Sequence, residues 1–264
     1  MVLCVPLVAG FDADRYTPRG GMCMEWKAWT SLIAAAPAVK SANINTPASQ
    51  KFGDYPKTFT YDVVDFGREV LAQLTIPVAL NFSSALKGAL NASRVNHTGH
   101  LYEDLLTDLD SLLATDTAFM LGPWLASART LGGNATDCTD TIVGDLNCAD
   151  FMEWNARSQL TTWKPTPANG PLGSPGDYAK KHWSGLVKDY YAARVHLYTE
   201  QATSDAAEHK PFDKHAMNTK LVKLAYQWQT SFGNGYPTQP ISDPVTVSKD
   251  LVSKWGHFFG ACKD

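Results

Sequence analysis

The chain has 264 residues, of which 44% are hydrophobic and 19% are charged, and its formal net charge at pH 7 is −3. A chain of this length can form one large domain or two small ones, and its apolar content suffices for a core. The weak charge gives no basic surface for nucleic acid or an anionic membrane, and no run of about 18 apolar residues predicts a transmembrane helix.

Residues 1–22 are predicted to form a poorly ordered N-terminal segment. They show no hydrophobic periodicity and contain Pro6, Pro18, Gly20 and Gly21, which interrupt regular structure. Their short apolar run follows no basic residue, so it is a poor signal peptide. We therefore interpret this start as internal to a longer ancestral gene, or as a wrongly assigned gene start.

Residues 23–264 are predicted to form one all-α domain, a bundle of about eight helices joined by short loops. Apolar residues recur at intervals of three and four, and no segment alternates as a strand does. Pro37 is expected to follow the first helix and Pro77 to kink or interrupt the second. The predicted helices cover residues 24–35, 62 to about 86, 101–114, 118–131, 153–163, 178 to about 203, 212–232 and 244 to about 255.

A loop rich in Pro and Gly separates the fifth and sixth predicted helices, and two aromatic residues bracket it. Trp163 precedes the loop and Tyr178 follows it. Ser174 is predicted to cap the sixth helix, with Pro175 in its first turn and Asp177 three residues after the cap. Tyr178 is therefore expected in the first turn of that helix.

The two blocks on either side of this loop carry a family resemblance. EWNARSQLTTW stands at residues 153–163, and DYAKKHWSGLVKDYY stands at residues 177–191. They resemble motifs of the C-terminal helical domain of the α-N-acetylglucosaminidases, and weaker matches extend the resemblance to about residues 24–255. In that family the helical domain follows a (β/α)-barrel that carries two catalytic glutamates.

The resemblance implies a fragment of a glycoside hydrolase that acts on terminal α-linked N-acetylglucosamine through a barrel this chain does not encode. A retaining glycosidase needs two carboxylates across the scissile bond, and all six glutamates here fall in helical contexts. We therefore assign no catalytic residue and expect the isolated chain to be inactive. No cofactor or metal site is predicted, because CxxC and HExxH motifs are missing. The alternative is a free-standing helical module that binds carbohydrate or protein without catalysis.

The resemblance also implies that Trp163 and Tyr178 reach into the sugar pocket from the helical domain. An aromatic face suits the apolar face of a pyranose, and a tyrosine hydroxyl adds a directional hydrogen bond. The alternative is that both side chains only pack against the helices. Glu153 and Arg157 are spaced to support a helix, and Asn155 with Arg157 could instead orient the loop that faces the barrel.

The cysteines and glycosylation sequons bear on the compartment. Cys138 and Cys148 flank a polar segment and are the best candidates for a local disulfide, although two unpaired thiols are the alternative. Four Asn-x-Ser/Thr sequons suggest a secreted history, and the family resemblance implies a lysosomal or secreted location. The sequons begin at Asn81, Asn91, Asn96 and Asn134.

Overall fold

The computed structural model describes residues 20–42, 47–87, 89–135, 137–140, 143–163, 179–233 and 235–262. These residues form eight α-helices and two short hairpins, which confirms the predicted all-α fold. The helices are α1 (Gly20–Ala42), α2 (Lys57–Ala85), α3 (Ala92–Leu113), α4 (Leu121–Gly132), α5 (Cys148–Thr161), α6 (Ala193–Ala207), α7 (Lys214–Gln229) and α8 (Pro244–Trp255). None of the helices described is long and apolar enough to cross a bilayer.

The bundle is built around α2 and α3, which pack against each other along their lengths. α1 and α8 cover α2 on one side, α6 covers α3 on the other, and α4 and α5 form a separate helical hairpin. The interior is filled by large apolar and aromatic side chains from all of these layers, which include Trp29, Leu71, Phe82, Tyr102, Leu109, Leu112 and Trp255. The long stripes of leucine and aromatic residues in the sequence are therefore core contacts.

Two prolines that the sequence analysis places at helix ends or interruptions lie inside continuous helices. α1 runs through Pro37 to Ala42, and α2 runs through Pro77 to Ala85. Each proline removes one backbone hydrogen bond, but the residue beside it, Ala36 in α1 and Val78 in α2, is buried in the core. The free energy gained by burying the helix face outweighs the lost hydrogen bond. α1 also begins at Gly20, so residues 20–22 of the predicted disordered segment are helical, while residues 1–19 lie outside the described residues.

The sixth predicted helix begins later than expected, and the cause is a side chain from another helix. The structure is not helical over residues 179–185; a π-helical turn at Val187–Ala192 then leads directly into α6. Asp110 of α3 accepts hydrogen bonds from the backbone amides of Gly185 (2.7 Å) and Lys188 (3.0 Å). This carboxylate satisfies the amide groups that a local cap would satisfy. The predicted cap at Ser174 to Asp177 lies outside the described residues.

The two hairpins are too short to produce a strand pattern in the sequence. β1 (Lys51–Phe52) pairs with β2 (Tyr55–Pro56), and β3 (Cys138–Asp140) pairs with β4 (Gly144–Leu146), both antiparallel. The second hairpin connects α4 to α5. It adds no sheet layer to the core.

Two disulfides tie chain segments together. Cys138 of β3 is bonded to Cys148 at the start of α5, the pair that the sequence analysis selects, with their Cα atoms 5.0 Å apart. Cys23 of α1 is bonded to Cys262 in the 3₁₀ turn Gly256–Cys262, with a Cα–Cα distance of 5.2 Å. This second bond joins the two ends of the domain and was not predicted, because 239 positions separate its cysteines.

The disulfide that closes the longer loop should stabilise the domain more. In the chain-entropy model, the 239-residue separation corresponds to roughly 5 kcal/mol and the 10-residue separation to roughly 3 kcal/mol. Thermal and urea unfolding of the Cys23→Ser/Cys262→Ser and Cys138→Ser/Cys148→Ser variants would compare them. The first double variant should lose more stability. An equal or smaller loss would contradict the larger stabilisation expected from the Cys23–Cys262 bond.

Candidate functional site

The motif at residues 153–157 forms a buried ionic network that joins α4, α5 and the segment after α7. Glu153 of α5 accepts hydrogen bonds from Arg157 Nε (2.8 Å) and from Arg129 Nη1 of α4 (2.7 Å). A second guanidinium nitrogen of Arg157 lies 2.6 Å from the same carboxylate, and the backbone amide of Gly233 lies 3.3 Å away. Arg129 also binds Asp150 at 2.5 Å. The predicted Glu153–Arg157 helix pair is thus the centre of a tertiary network.

Arg157 is fully buried and makes its contacts inside the domain. Its guanidinium lies over the rings of Trp228 (4.8 Å) and Tyr236 (5.3 Å), and it donates to the Trp228 carbonyl oxygen (3.3 Å). The Arg157 side chain therefore lies in the interior of the domain, and its role with Asn155 in orienting the loop after Trp163, which lies outside the described residues, stays a prediction. Asn155, on the opposite side of the helix, is exposed.

The C-terminal end of α5 is anchored to α7 immediately before Trp163. The Gln229 side-chain amide donates to the hydroxyls of Thr161 (2.9 Å) and Thr162 (2.7 Å), and all three residues are buried. These bonds fix the direction in which the chain leaves the helix. Trp163 is the next residue, and its position is set by them.

Trp163 combines an unfavourable backbone conformation with an exposed side chain. Its φ is +63°, in the left-handed region where a helix end usually places glycine, and its side chain is 45% exposed. A non-glycine residue in this region costs on the order of 1 kcal/mol. The buried part of the ring can offset this cost through its contacts within the domain. The exposed part remains open to a partner or ligand.

A cavity of about 490 Å³ opens at the same end of the bundle. Trp228 and Ser231, which flank the Gln229 anchor, line it together with Asp189, Gly235 and Tyr236. The Tyr236 hydroxyl is hydrogen-bonded to Asp189 and to Arg157, and burial raises the pKa of Tyr236 to about 12. Its ring packs on Gly185, where an added Cβ would lie 2.6 Å from the ring. The volume is within the roughly 300–1,000 Å³ range of small-molecule pockets.

One close pair of glutamates among the described residues is Glu25 and Glu69, and its geometry is structural. The Gln73 amide donates to Glu25 of α1 and to Glu69 of α2, so it occupies the space between the two carboxylates. Burial, followed by the charge of Glu69, raises the pKa of Glu25. An amide between the carboxylates leaves no room for a glycosidic oxygen, so this pair does not suit glycoside hydrolysis.

The remaining predicted site residues are spread over the domain. Tyr178 lies outside the described residues, so its position relative to Trp163 stays a prediction. Asn91 caps α3 by accepting from the Arg94 amide, Asn81 is half-buried in α2, and Asn96 and Asn134 are exposed. Asn91, Asn96 and Asn134 are thus the exposed sequon residues, since the cap at Asn91 uses Oδ1 and not the Nδ2 that N-glycosylation modifies.

The sequence analysis assigned none of the cavity residues to a site, including Asp189 and Tyr236. Asp189 is the first residue of the DYY sequence in the second motif. The motif therefore contained this residue, but the sequence analysis gave it no role. Tyr236 follows Gly235 beyond α7, and no local pattern indicates that it returns to Arg157. Only the packing of α7 against α5 brings it there.

Comparison with known proteins gives one consistent result. The sequence model of the α-N-acetylglucosaminidase (NAGLU) C-terminal domain matches residues 25–254. Human α-N-acetylglucosaminidase is 32% identical over 233 residues, which are 87% of this chain and 27% of the human protein. The chain therefore spans about a quarter of the length of this relative.

Solved structures share the fold. A family 89 glycoside hydrolase from Clostridium perfringens, in complex with PUGNAc, superposes with a TM-score of 0.65 at 21% identity, over 87% of this chain and 23% of that one. The structure of the same enzyme with its substrate GlcNAc-α-1,4-galactose gives the same values. The similarity is therefore found in the arrangement of the helices as well as in the sequence.

The buried network should be more important for stability than an exposed ion pair. Glu153→Gln removes the counter-charge of buried Arg157, and unfolding should become easier by about 3–5 kcal/mol. Glu200→Gln is the matched control, because Glu200 is exposed and forms its ion pair with the exposed His196 (3.3 Å); its effect should stay within about 1 kcal/mol. Urea unfolding measures both, and equal losses would show that the Glu153 network is not central.

Proposed function

This chain belongs to the family of α-N-acetylglucosaminidase C-terminal domains, and we propose that it is the accessory domain that completes the sugar pocket of a catalytic barrel. In this proposal Trp163 forms part of the pocket wall, and the barrel supplies the acid and the nucleophile. The ligand is a glycan that ends in α-linked N-acetylglucosamine.

The observation that carries this proposal is the conformation of Trp163. Its left-handed backbone is unfavourable, its ring is 45% exposed, and the helix before it is held by the Gln229 bonds and the Glu153 network. Strain that the fold maintains at a rigid, exposed position is typical of functional sites. An aromatic ring at such a position can stack on the apolar face of a pyranose, and the backbone beneath it does not have to be ordered first.

The neighbouring cavity supports the same interpretation. Asp189 and the hydroxyls of Ser231 and Tyr236 can form hydrogen bonds to sugar hydroxyls, and the Trp228 ring adds an apolar wall. The Tyr236 hydroxyl donates its proton to the Asp189 carboxylate and accepts from Arg157, so towards a sugar it can act only as an acceptor. Tyr178 would add a hydroxyl donor from the loop after Trp163. Together these groups provide the combination of ring and polar contacts that sugar pockets use.

We further propose that the domain is made in the secretory pathway and acts in a lysosomal or extracellular compartment. Two disulfides are formed, and disulfides persist in oxidising compartments. The exposed Asn91, Asn96 and Asn134 are positioned to accept glycans. Peptide mapping of the secreted chain would identify both modifications.

The test of the pocket role uses a chimera in which residues 20–262, which include the Cys23–Cys262 disulfide, replace the matching part of human α-N-acetylglucosaminidase. Trp163→Ala should lower kcat/KM for an aryl α-N-acetylglucosaminide by about tenfold or more, which corresponds to roughly 1.4 kcal/mol of lost transition-state binding. Trp163→Phe keeps a ring and should retain most of the activity. Trp163→Gly should melt at or above the melting temperature of Trp163→Ala, because glycine relieves the left-handed strain that alanine retains.

Two results would oppose the pocket role. A fall in melting temperature without a specific loss of kcat/KM in Trp163→Ala would show that the ring only packs against the helices. The isolated chain serves as the blank and should show no turnover, since in this proposal the barrel supplies both catalytic carboxylates. Turnover by the isolated chain that one Glu→Gln change abolishes would place catalysis in this domain.

A further inference from the structure

Three side-chain oxygen groups line the cavity beside Tyr236, and each of them faces a ligand as a hydrogen-bond acceptor. Asp189 is a carboxylate, and the Tyr236 hydroxyl already donates its proton to Asp189. The Ser231 hydroxyl donates to the Gln227 carbonyl oxygen at 2.6 Å, so it has only its lone pairs left for a ligand. These oxygens can therefore bind a group that donates hydrogen bonds, and a group that only accepts them finds no partner among them.

Asp189 also gives the cavity a negative charge. Arg157, which contacts the Tyr236 hydroxyl, is paired with Glu153 at 2.6 Å, so its own charge is balanced inside the buried network. The pKa of Tyr236 shows the effect of the Asp189 charge. Burial, followed by this charge, raises the pKa of Tyr236 to about 12, because a second negative charge beside Asp189 is disfavoured. An anionic group of a ligand would meet the same repulsion in the cavity.

The π-helical turn before α6 places Asp189 at the cavity. In this turn Tyr190 and Tyr191 are buried in the core, whereas Asp189 is exposed. π-Helical turns are rare and are frequently found at functional sites. Gly185, just before the turn, has a φ of +90°, and the Tyr236 ring packs where a side chain at Gly185 would lie. The backbone of this segment therefore fixes the carboxylate and the Tyr236 ring side by side.

We propose that Asp189 makes the sugar pocket selective for uncharged glycans. A neutral sugar presents hydroxyls that donate to the cavity oxygens, whereas a carboxylate or sulfate group presents only acceptors and adds a negative charge. The terminal N-acetylglucosamine is itself uncharged, so the selection acts on the sugar to which it is linked. The preferred substrate is α-linked N-acetylglucosamine on a neutral hexose, and a linkage to a hexuronic acid is disfavoured. The inference rests on the proposed function, which assigns the cavity to the sugar pocket.

The test uses the chimera with human α-N-acetylglucosaminidase and two disaccharides that differ in one group. GlcNAc-α-1,4-galactose is neutral, and GlcNAc-α-1,4-galacturonic acid has a carboxylate in place of the hydroxymethyl group. The measured quantity is the kcat/KM of the neutral disaccharide divided by that of the acidic one. Asp189→Asn keeps the shape of the side chain and removes its charge. It should lower this ratio about fivefold, the factor expected for two unit charges about 4 Å apart in water.

Two control variants separate the charge of Asp189 from its structural contacts. Tyr236→Phe removes the hydroxyl that Asp189 binds but keeps the carboxylate, so it should retain most of the ratio. Asp250→Asn removes an exposed charge on α8, outside the cavity, and should leave the ratio unchanged. Added salt should lower the ratio in the unsubstituted chimera more than in Asp189→Asn, because salt screens the repulsion between charges. The barrel is the same in all variants, so its own preference cancels in the comparison.

Two results would overturn the selectivity. One is a ratio that Asp189→Asn leaves unchanged, which includes an equal loss with both disaccharides, and the other is the same change of ratio in Asp250→Asn. In either case a specific loss of kcat/KM in Trp163→Ala would leave the proposed function standing. A ratio that depends on Asp189, with no loss in Trp163→Ala, would support the selectivity and reject Trp163 as the pocket wall. A folded chimera without turnover of either disaccharide would reject both proposals.

Discussion

The ion pair between Glu153 and Arg157 is the interaction on which the arrangement of this domain depends. Both residues are buried, and a buried charge is tolerated only when its partners satisfy it. Here one carboxylate is contacted by two arginines and a backbone amide, which belong to α4, α5 and the segment after α7. The network therefore holds these elements in one relative position, because displacing any of them leaves a buried charge without its partner.

This rigidity has a consequence at the end of α5. The helix is held by its contacts with α4, α7 and the segment after α7, and Trp163 follows it in a strained conformation. The Arg157 guanidinium also lies against Trp228 and Tyr236, two residues of the larger cavity. The same network thus orients the cavity wall and the exposed tryptophan. Such a surface is preorganised, and a partner domain or sugar that binds to it does not have to order it first.

Local patterns in the sequence predict the helices well, because each helix buries one continuous face in the bundle. They do not reveal contacts between distant residues. Asp110 caps the π-helical turn 75 positions later, and Cys23 bonds to Cys262 across the domain. For the site, the motif at residues 153–163 indicated the helix that carries Trp163, whereas the return of Tyr236 to Arg157 depends on how α7 packs. Pro37 and Pro77 show the reverse case, in which burial overrides a local helix-breaking signal.

The most direct measurement is a crystal structure of the chimera with an N-acetylglucosamine analogue bound. Our account predicts that the Trp163 ring lies within about 4 Å of the sugar ring, in the separation expected for apolar contact. The Glu153–Arg157 network should keep the geometry seen here. A sugar bound entirely by the barrel, with Trp163 directed to solvent or packed on its own helices, would contradict the account.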